Sequence, residues 1–150
     1  MEAKELTAEL GKRLGIELEF DADGACSFTA DELVVTINYL SELDLLVLTG
    51  DLGAPPPERL EVLYRAMLDA NHLFVGTAGS TLSRDPQSGN FALCRAFPCR
   101  GVDAETFYVQ TERFVSTLEA WAKLVANFRD TPQDAVESVP DTIPPFGFMV

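Results

Sequence analysis

Residues 60–82, LEVLYRAMLDANHLFVGTAGSTL, form the most informative stretch of the chain. Its first half places large apolar residues at the spacing i, i+3, i+4, i+7, i+8, which predicts a helix with one face in the core: Leu60, Leu63, Tyr64, Met67 and Leu68. A second row of smaller residues runs beside the first: Val62, Ala66 and Ala70. The apolar arc is therefore wider than one sheet needs. Either the helix lies deep under a sheet, or its second row contacts another copy of the chain, which we favour.

The chain before this helix alternates between turns and short apolar runs. Residues 4–14 have leucines four positions apart and predict an amphipathic helix that ends at Gly15. The prolines at 55–57 separate this region from the helix that begins near residue 60. Apolar and polar residues alternate, or β-branched residues cluster, in four runs: 16–20, 26–30, 33–39 and 43–49. We therefore predict a four-stranded antiparallel meander, in which the strand at 43–49 is apolar on both faces.

The chain after residue 80 predicts a hairpin and a final helix. Strands at 81–85 and 90–97 flank a turn, and Asp103 is a good N-cap for a helix with an apolar, mainly aromatic row in the core. This row consists of Phe107, Phe114, Leu118, Trp121, Val125 and Phe128. The predicted fold class is α+β, a curved antiparallel sheet with three helices in the order α-β-β-β-(β)-α-β-β-α. We predict a single domain over residues 1–128 and a proline-rich C-terminal tail at 129–150.

Charge and hydropathy exclude several classes of function. The 150 residues include 11 Lys and Arg against 24 Asp and Glu, which gives a formal net charge of −13. Such a chain repels nucleic acid and anionic lipid. Its negative charge therefore either serves solubility alone or attracts a basic partner. No run approaches the roughly 18 apolar residues of a membrane helix, and the N-terminus does not resemble a signal peptide. We expect a cytoplasmic protein without membrane insertion.

The residues that could carry chemistry are few. Cys26, Cys94 and Cys99 are odd in number and have no CxxC spacing, and His72 is the single histidine. They do not make up a structural zinc site, so we predict buried thiols, no metal and no cofactor. We also expect no enzymatic activity. An enzyme subunit that uses a pair of Cys and His72 stays open as a rival interpretation.

Two features indicate a binding module that associates with other chains. One is the surplus apolar surface of the helix that begins near residue 60. The other is the prediction of sheet edges at 26–30 and 81–85, which could accept an added strand.

Three stretches carry a resemblance to a known family. They are Leu14-Gly15-Ile16 with Leu18-Glu19-Phe20-Asp21 and Gly24-Ala25-Cys26; Leu48-Thr49-Gly50-Asp51-Leu52-Gly53; and residues 68–82. In the last stretch Ala78 and Ser80 stand where the family more often has Gly and Ala. Over residues 4–125 the chain resembles the class I type III secretion chaperones of the Tir chaperone (CesT) family.

The resemblance implies a function and partners that the residues alone do not. It implies a homodimer that binds the N-terminal chaperone-binding segment of a secreted effector in extended form and keeps it soluble and export-competent. The secretion ATPase is a further partner that it suggests, and the family has no active site. The alternative is a YbjN-like dimeric regulatory or sensory binding module that holds no unfolded client.

The resemblance also assigns residues to two surfaces. The dimer interface would involve Val62, Ala66, Ala70, Phe91 and Leu93. The effector-binding groove would involve Leu6, Leu10, Leu14, Phe28, Val34 and Thr36, although each of these six could instead belong to the core. We further expect residues 146–150 of the tail to dock in a groove in place of effector.

Overall fold

The computed structural model describes residues 1–130 and confirms the predicted fold class. Three helices accompany a five-stranded antiparallel sheet of order β1-β2-β3-β5-β4, so that β1 and β4 are its edges, as predicted. The elements are α1 (Ala3–Leu14), β1 (Ala25–Ala30), β2 (Leu33–Leu40), β3 (Leu45–Gly53), α2 (Leu60–Asn71), β4 (Thr81–Arg84), β5 (Phe91–Pro98) and α3 (Ala104–Asp130). Short 3₁₀ turns follow α2 at His72–Phe74 and β5 at Cys99–Gly101.

Backbone contacts group these elements into two compact units. The first comprises Met1–Gly50 with Cys94–Ser116, and the second comprises Asp51–Leu93 with the chain from Thr117 onward. The expectation of a single domain over residues 1–128 stays a prediction. The predicted boundary at 129 falls in the last turn of α3, and the tail segment 146–150 lies outside the described residues.

In the first unit, α1 places its leucine row inward, as its spacing predicts. Leu6 and Leu10 are fully buried, whereas Lys4, Glu5 and Lys12 are exposed. The helix ends at Gly15, whose φ of 75° is a left-handed conformation that glycine adopts without strain. The helix end is thus fixed by a single residue.

The predicted strand at 16–20 is wrong, and the meander has three strands. Leu18 is buried, but Ile16 is exposed and the segment pairs with no strand in the described chain. A turn at Asp21 separates this segment from β1, and in it Asp21 Oδ1 accepts the N–H of Ala25 at 3.0 Å while the Asp21 N–H donates to the Ala25 carbonyl at 2.8 Å. This turn occupies the outward backbone groups of Ala25 alone, and no strand pairing continues from it along residues 16–20.

The third strand of the meander also starts later than predicted, at Leu45 instead of residue 43. Its two faces differ, because Leu46 and Leu48 are fully buried whereas Leu45 and Val47 are only half-buried. The strand is thus apolar on both faces, as predicted, but one face is buried more fully than the other.

In the second unit, α2 presents a different face to the core than its spacing suggests. Leu63 and Met67 are buried, but so are the small residues Ala66 and Ala70. Tyr64 and Leu68, which lie on the opposite side of Leu63 and Met67 from the alanines, are exposed, and Leu68 has 69% of its surface accessible. The assignment of Tyr64 and Leu68 to the core face is therefore wrong.

Close packing of the chain after α2 accounts for this orientation. A Cβ at Gly76 would lie 2.7 Å from the Cβ of Ala70, and the Gly76 carbonyl accepts the indole N–H of Trp121 at 2.9 Å. The chain at Gly76 can approach α2 this closely only beside small residues.

The long helix α3 begins as predicted, with Asp103 as its cap. The Thr106 N–H donates to Asp103 Oδ1 at 2.7 Å. This hydrogen bond, together with one from the Thr106 side chain, lowers the pKa of Asp103 below its ordinary value. Its predicted apolar row is fully buried except Phe128, which is half-buried: Phe107, Phe114, Leu118, Trp121 and Val125.

Candidate functional site

The outer edge of β1 carries backbone groups available to an added strand. Antiparallel pairs alternate between hydrogen-bonded and non-hydrogen-bonded positions. The backbone N–H of Tyr39 donates to the Gly24 carbonyl at 2.8 Å, which makes Gly24 and Tyr39 a hydrogen-bonded pair. By register, the backbone groups of Ala25, Ser27 and Thr29 therefore point away from β2. The turn at Asp21 occupies those of Ala25. Within residues 1–130, Ser27 and Thr29 are therefore the positions at which β1 can pair outward.

The predicted effector-binding residues divide between the core and the surface of the first unit. Leu6, Leu10 and Phe28 are buried and Leu14 is half-buried. On the opposite face of the sheet, Thr36 is half-buried and its hydroxyl lies 2.9 Å from that of Ser27. Val34, paired with Thr29, is 53% exposed. Of the six predicted effector-binding residues, only Val34, Thr36 and the half-buried Leu14 are therefore accessible from solvent.

A cleft of about 930 Å³ lies beside the start of α1 in the same unit. Its wall contains Phe20 and Tyr39, whose ring centroids are 6.2 Å apart. The Tyr39 hydroxyl donates to Asp44 Oδ1 at 3.0 Å, and this hydrogen bond raises the pKa of Tyr39. Acidic side chains outnumber basic ones around the cleft: Glu2, Glu5, Glu42 and Asp44 against Lys4 and Arg100.

In the second unit, large apolar residues are exposed along α2 and the turn that follows it. We call this set the α2 apolar surface, and it consists of Tyr64, Leu68, Leu73, Phe74 and Val75. Sequence reasoning missed it, although the run of three apolar residues that follows His72 was a usable signal. Among the predicted dimer residues, Ala66, Ala70, Phe91 and Leu93 are buried within the chain and Val62 is half-buried.

Two members of the α2 apolar surface have a strained backbone. Leu73 and Phe74 have φ values of 52° and 57°, in the left-handed region that costs a residue with a side chain roughly 1–2 kcal/mol. Leu73 nevertheless exposes 81% of its surface, so the strain is not offset by burial within the chain. Strain of this kind is typical of functional surfaces.

Of the three cysteines, Cys99 is buried whereas Cys26 and Cys94 are half-buried, so the prediction of buried thiols is correct for Cys99 alone. All three are free thiols, and burial, the largest cause, raises the pKa of Cys26 and Cys99. A nucleophilic cysteine needs the opposite shift, since the thiolate is the reactive form. Across residues 1–130 no group of three or more potential metal ligands comes together.

No helix within the described part of the chain is long and apolar enough to span a bilayer.

Comparison with known proteins identifies the family. The model of the Tir chaperone protein (CesT) family matches residues 5–122, and the chain belongs to this family. The Chlamydia pneumoniae protein CPj0713/CpB0740 is 32% identical over 105 residues, which cover 69% of this chain and 79% of that protein. The predicted family is thus confirmed, and with it the class of protein, a non-enzymatic type III secretion chaperone that binds effectors.

Solved structures agree on the fold. The chain is similar to the ExsC–ExsE complex, with a TM-score of 0.70 and 22% identity over 83% of this chain and 97% of that one. It is also similar to the Yersinia pestis type III secretion chaperone SycH in complex with a fragment of YscM2, with a TM-score of 0.63 and 19% identity over 81% and 98%. YbjN from E. coli matches with a TM-score of 0.60 and 13% identity over 81% and 89%. At these identities the likeness shows the fold alone.

Proposed function

We propose that this chaperone acts in the cytoplasm and holds the N-terminal segment of an effector in extended form, soluble and competent for export. The observation that carries the proposal is the outer edge of β1, where Ser27 and Thr29 offer backbone donors and acceptors to a further strand. Peptide recognition by strand addition uses such an edge for affinity and neighbouring side chains for specificity. The chaperone–effector and chaperone–fragment complexes among the similar structures support this mode of action.

The side chains around β1 suggest how the segment would be read. A strand paired with Ser27 and Thr29 has alternate side chains on the two faces of the sheet. Its side chains on one face would reach the exposed Val34 and the hydroxyl of Thr36. Those on the other face would reach the edge of the core, at Phe28 and the half-buried Leu14. Leu6 and Leu10 would then support the site from within the core.

We infer that the bound segment is basic. The chain has a formal net charge of −13, and the cleft beside α1 combines an aromatic wall with an excess of carboxylates. Such a surface favours the approach of lysine and arginine side chains and speeds the encounter at low salt. This extends the expectation of a basic partner to a particular part of the surface.

We further propose that the chaperone is a homodimer, and that the α2 apolar surface contacts the second copy. Soluble chains rarely leave this many large apolar side chains exposed in neighbouring positions, and in a two-fold dimer the same patch of each copy faces the other. The predicted dimer residues on α2 and β5 would then lie behind or beside this contact. The secretion ATPase stays a proposed partner on the family resemblance alone.

The test of client binding begins with purification of the tagged chaperone from its source organism and identification of the bound proteins by mass. The N-terminal segment of any secreted protein recovered is then titrated against three forms: wild type, Thr29→Pro and Thr29→Ala. Proline at position 29 removes the outward N–H without removing a hydrogen bond to β2. Edge strands tolerate proline at such outward positions. Thr29→Ala keeps that N–H and is the matched control.

We expect Thr29→Pro to weaken binding at least about tenfold and Thr29→Ala to change it less than about threefold, because main-chain hydrogen bonds supply the affinity of an added strand. Equal binding by all three forms would contradict strand addition at β1. Recovery of a regulatory protein and no secreted one would instead favour the YbjN-like module.

A further inference from the structure

The second edge of the sheet, β4, is not equivalent to β1. Along β4 the backbone groups of Leu82 and Arg84 point away from β5, since Asp85 N–H donates to the Asn90 carbonyl at 2.8 Å and the pattern alternates from there. At Leu82 both groups already have a partner. The Leu82 N–H donates to Asn71 Oδ1 at 2.9 Å, and Asn71 Nδ2 donates to the Leu82 carbonyl at 3.1 Å.

The amide of Asn71 thus makes the two hydrogen bonds that an antiparallel neighbour would make with Leu82. Among side chains of this length, only asparagine offers one acceptor and a donor together at neutral pH, since aspartate accepts only and leucine does neither. The position is also suitable, because Asn71 is the last residue of α2 and the chain returns to β4 ten residues later. Asn71 is half-buried, which favours both bonds over competing water.

We propose that Asn71 is a specificity-determining residue that closes the β4 edge against strand addition, so that extended partners pair with β1. The partner it excludes most directly is the β4 edge of a second copy, because two identical antiparallel edges can pair about a two-fold axis. Since β4 has only four residues, one capped position in its interior removes most of what a partner strand would pair with. The proposal concerns the chaperone alone and does not require a client.

The first test compares amide hydrogen exchange at the two edges of wild-type protein. Leu82 and Thr29 are both outward positions on edge strands, but only Leu82 has a bonded amide. We expect the Leu82 amide to exchange at least about 30-fold more slowly than that of Thr29, because exchange requires the hydrogen bond to open. Equal exchange rates would overturn the proposal, and this measurement needs no variant to fold.

The second test uses Asn71→Ala, with Asn71→Leu as a near-isosteric alternative if the alanine variant does not fold, because leucine neither accepts nor donates a hydrogen bond. Asn90→Ala is the matched control, because Asn90 lies in the same unit and its amide bonds the Asp51 carboxylate instead of a strand edge. We expect the Asn71 variants to exceed the wild-type mass in light scattering as concentration rises, whereas Asn90→Ala keeps that mass. In dilute solution, Leu82 exchange should accelerate at least about tenfold in the Asn71 variants.

Adding Arg84→Pro to Asn71→Ala separates edge pairing from general loss of structure. Proline at the other outward position of β4 blocks a partner strand while leaving the bonds to β5 in place. The double variant should return to the wild-type mass if the new association uses the β4 edge. Folded Asn71 variants that keep the wild-type mass, or a double variant that associates as strongly as Asn71→Ala, would overturn the proposal. Neither result depends on whether effectors bind at β1.

Discussion

Helices α1 and α2 have the same length and similar apolar periodicity, yet they use their apolar residues in opposite ways. Both have 12 residues. In α1 the large side chains Leu6 and Leu10 are buried and the exposed positions are mostly charged. In α2 the exposed positions include Tyr64 and Leu68, while the alanines are buried. One helix completes its packing within the chain, whereas the other leaves apolar surface without cover.

The two helices differ in which of their apolar residues face the core. When the apolar arc is wide, small residues permit the closest approach and therefore turn inward, as Ala70 does against Gly76. Large residues at the border of the arc then stay outside, where they are available to a partner. The surplus predicts association, and in the proposed dimer the exposed large residues rather than the buried small ones would make the contact.

The largest effect is expected in α1, where Leu10→Ala removes a fully buried side chain. Truncation of a core leucine costs about 2–5 kcal/mol, because apolar burial is lost and a cavity remains. Leu43→Ala, at a leucine that is 66% exposed in the same unit, should change the free energy of unfolding by less than about 0.5 kcal/mol. Urea unfolding of both variants checks this. Similar losses in the two would show that α1 is not packed as described.

The next effect concerns α2, where Leu68→Asp should weaken self-association rather than folding. A charge in the centre of an apolar interface costs about 2 kcal/mol or more of binding, or roughly 30-fold in the dissociation constant. Sedimentation should show the wild type near twice the chain mass of 16.4 kDa and the variant near that mass. Leu43→Asp is the matched control, since Leu43 and Leu68 are 66% and 69% exposed.

In that comparison, circular dichroism should be unchanged in both aspartate variants, because neither leucine is buried. A Leu68→Asp protein that keeps the wild-type mass would remove α2 from the proposed dimer contact. Dissociation by both variants would show an effect of charge in general.

Local patterns sufficed for most of the fold but failed where side chains compete with the backbone. The hairpin of β4 and β5 and the start of α3 at Asp103 follow from turn and cap residues that act over a few positions. The alternation at 16–20 is indistinguishable from that of a half-buried strand. In the folded chain, backbone pairing stops at the turn of Asp21 and Ala25, which the alternation of residues does not show.

The candidate site was less predictable, because it depends on contacts between residues distant in sequence. The edges at β1 and β4 could be foreseen from short strands, but not their difference, since Asn71 and Leu82 are brought together only by the fold. Similarly, the residues of the effector groove were assigned by the family resemblance, which does not distinguish accessible residues such as Val34 from core residues such as Leu10.

The smallest effect is expected directly after α2, at the strained backbone of Leu73. Leu73→Gly relieves a left-handed backbone that costs roughly 1–2 kcal/mol, but glycine also raises the entropy of the unfolded chain, so the net gain in stability should be about 0.5 kcal/mol. Leu73→Ala is the matched control, since it loses the same exposed side chain and keeps the strain. Urea unfolding should therefore rank Leu73→Gly above Leu73→Ala.

Self-association should move the other way, because both Leu73 variants lose an apolar side chain of the α2 apolar surface. We expect each to dimerise more weakly than wild type by sedimentation, with the glycine variant weaker still, as it is freer to leave the bound conformation. If Leu73→Gly were no more stable than Leu73→Ala, the strain at this position would be absent. If both dimerised like wild type, the strained turn would present its leucine to something other than a second copy, and the effector would become the partner to test there.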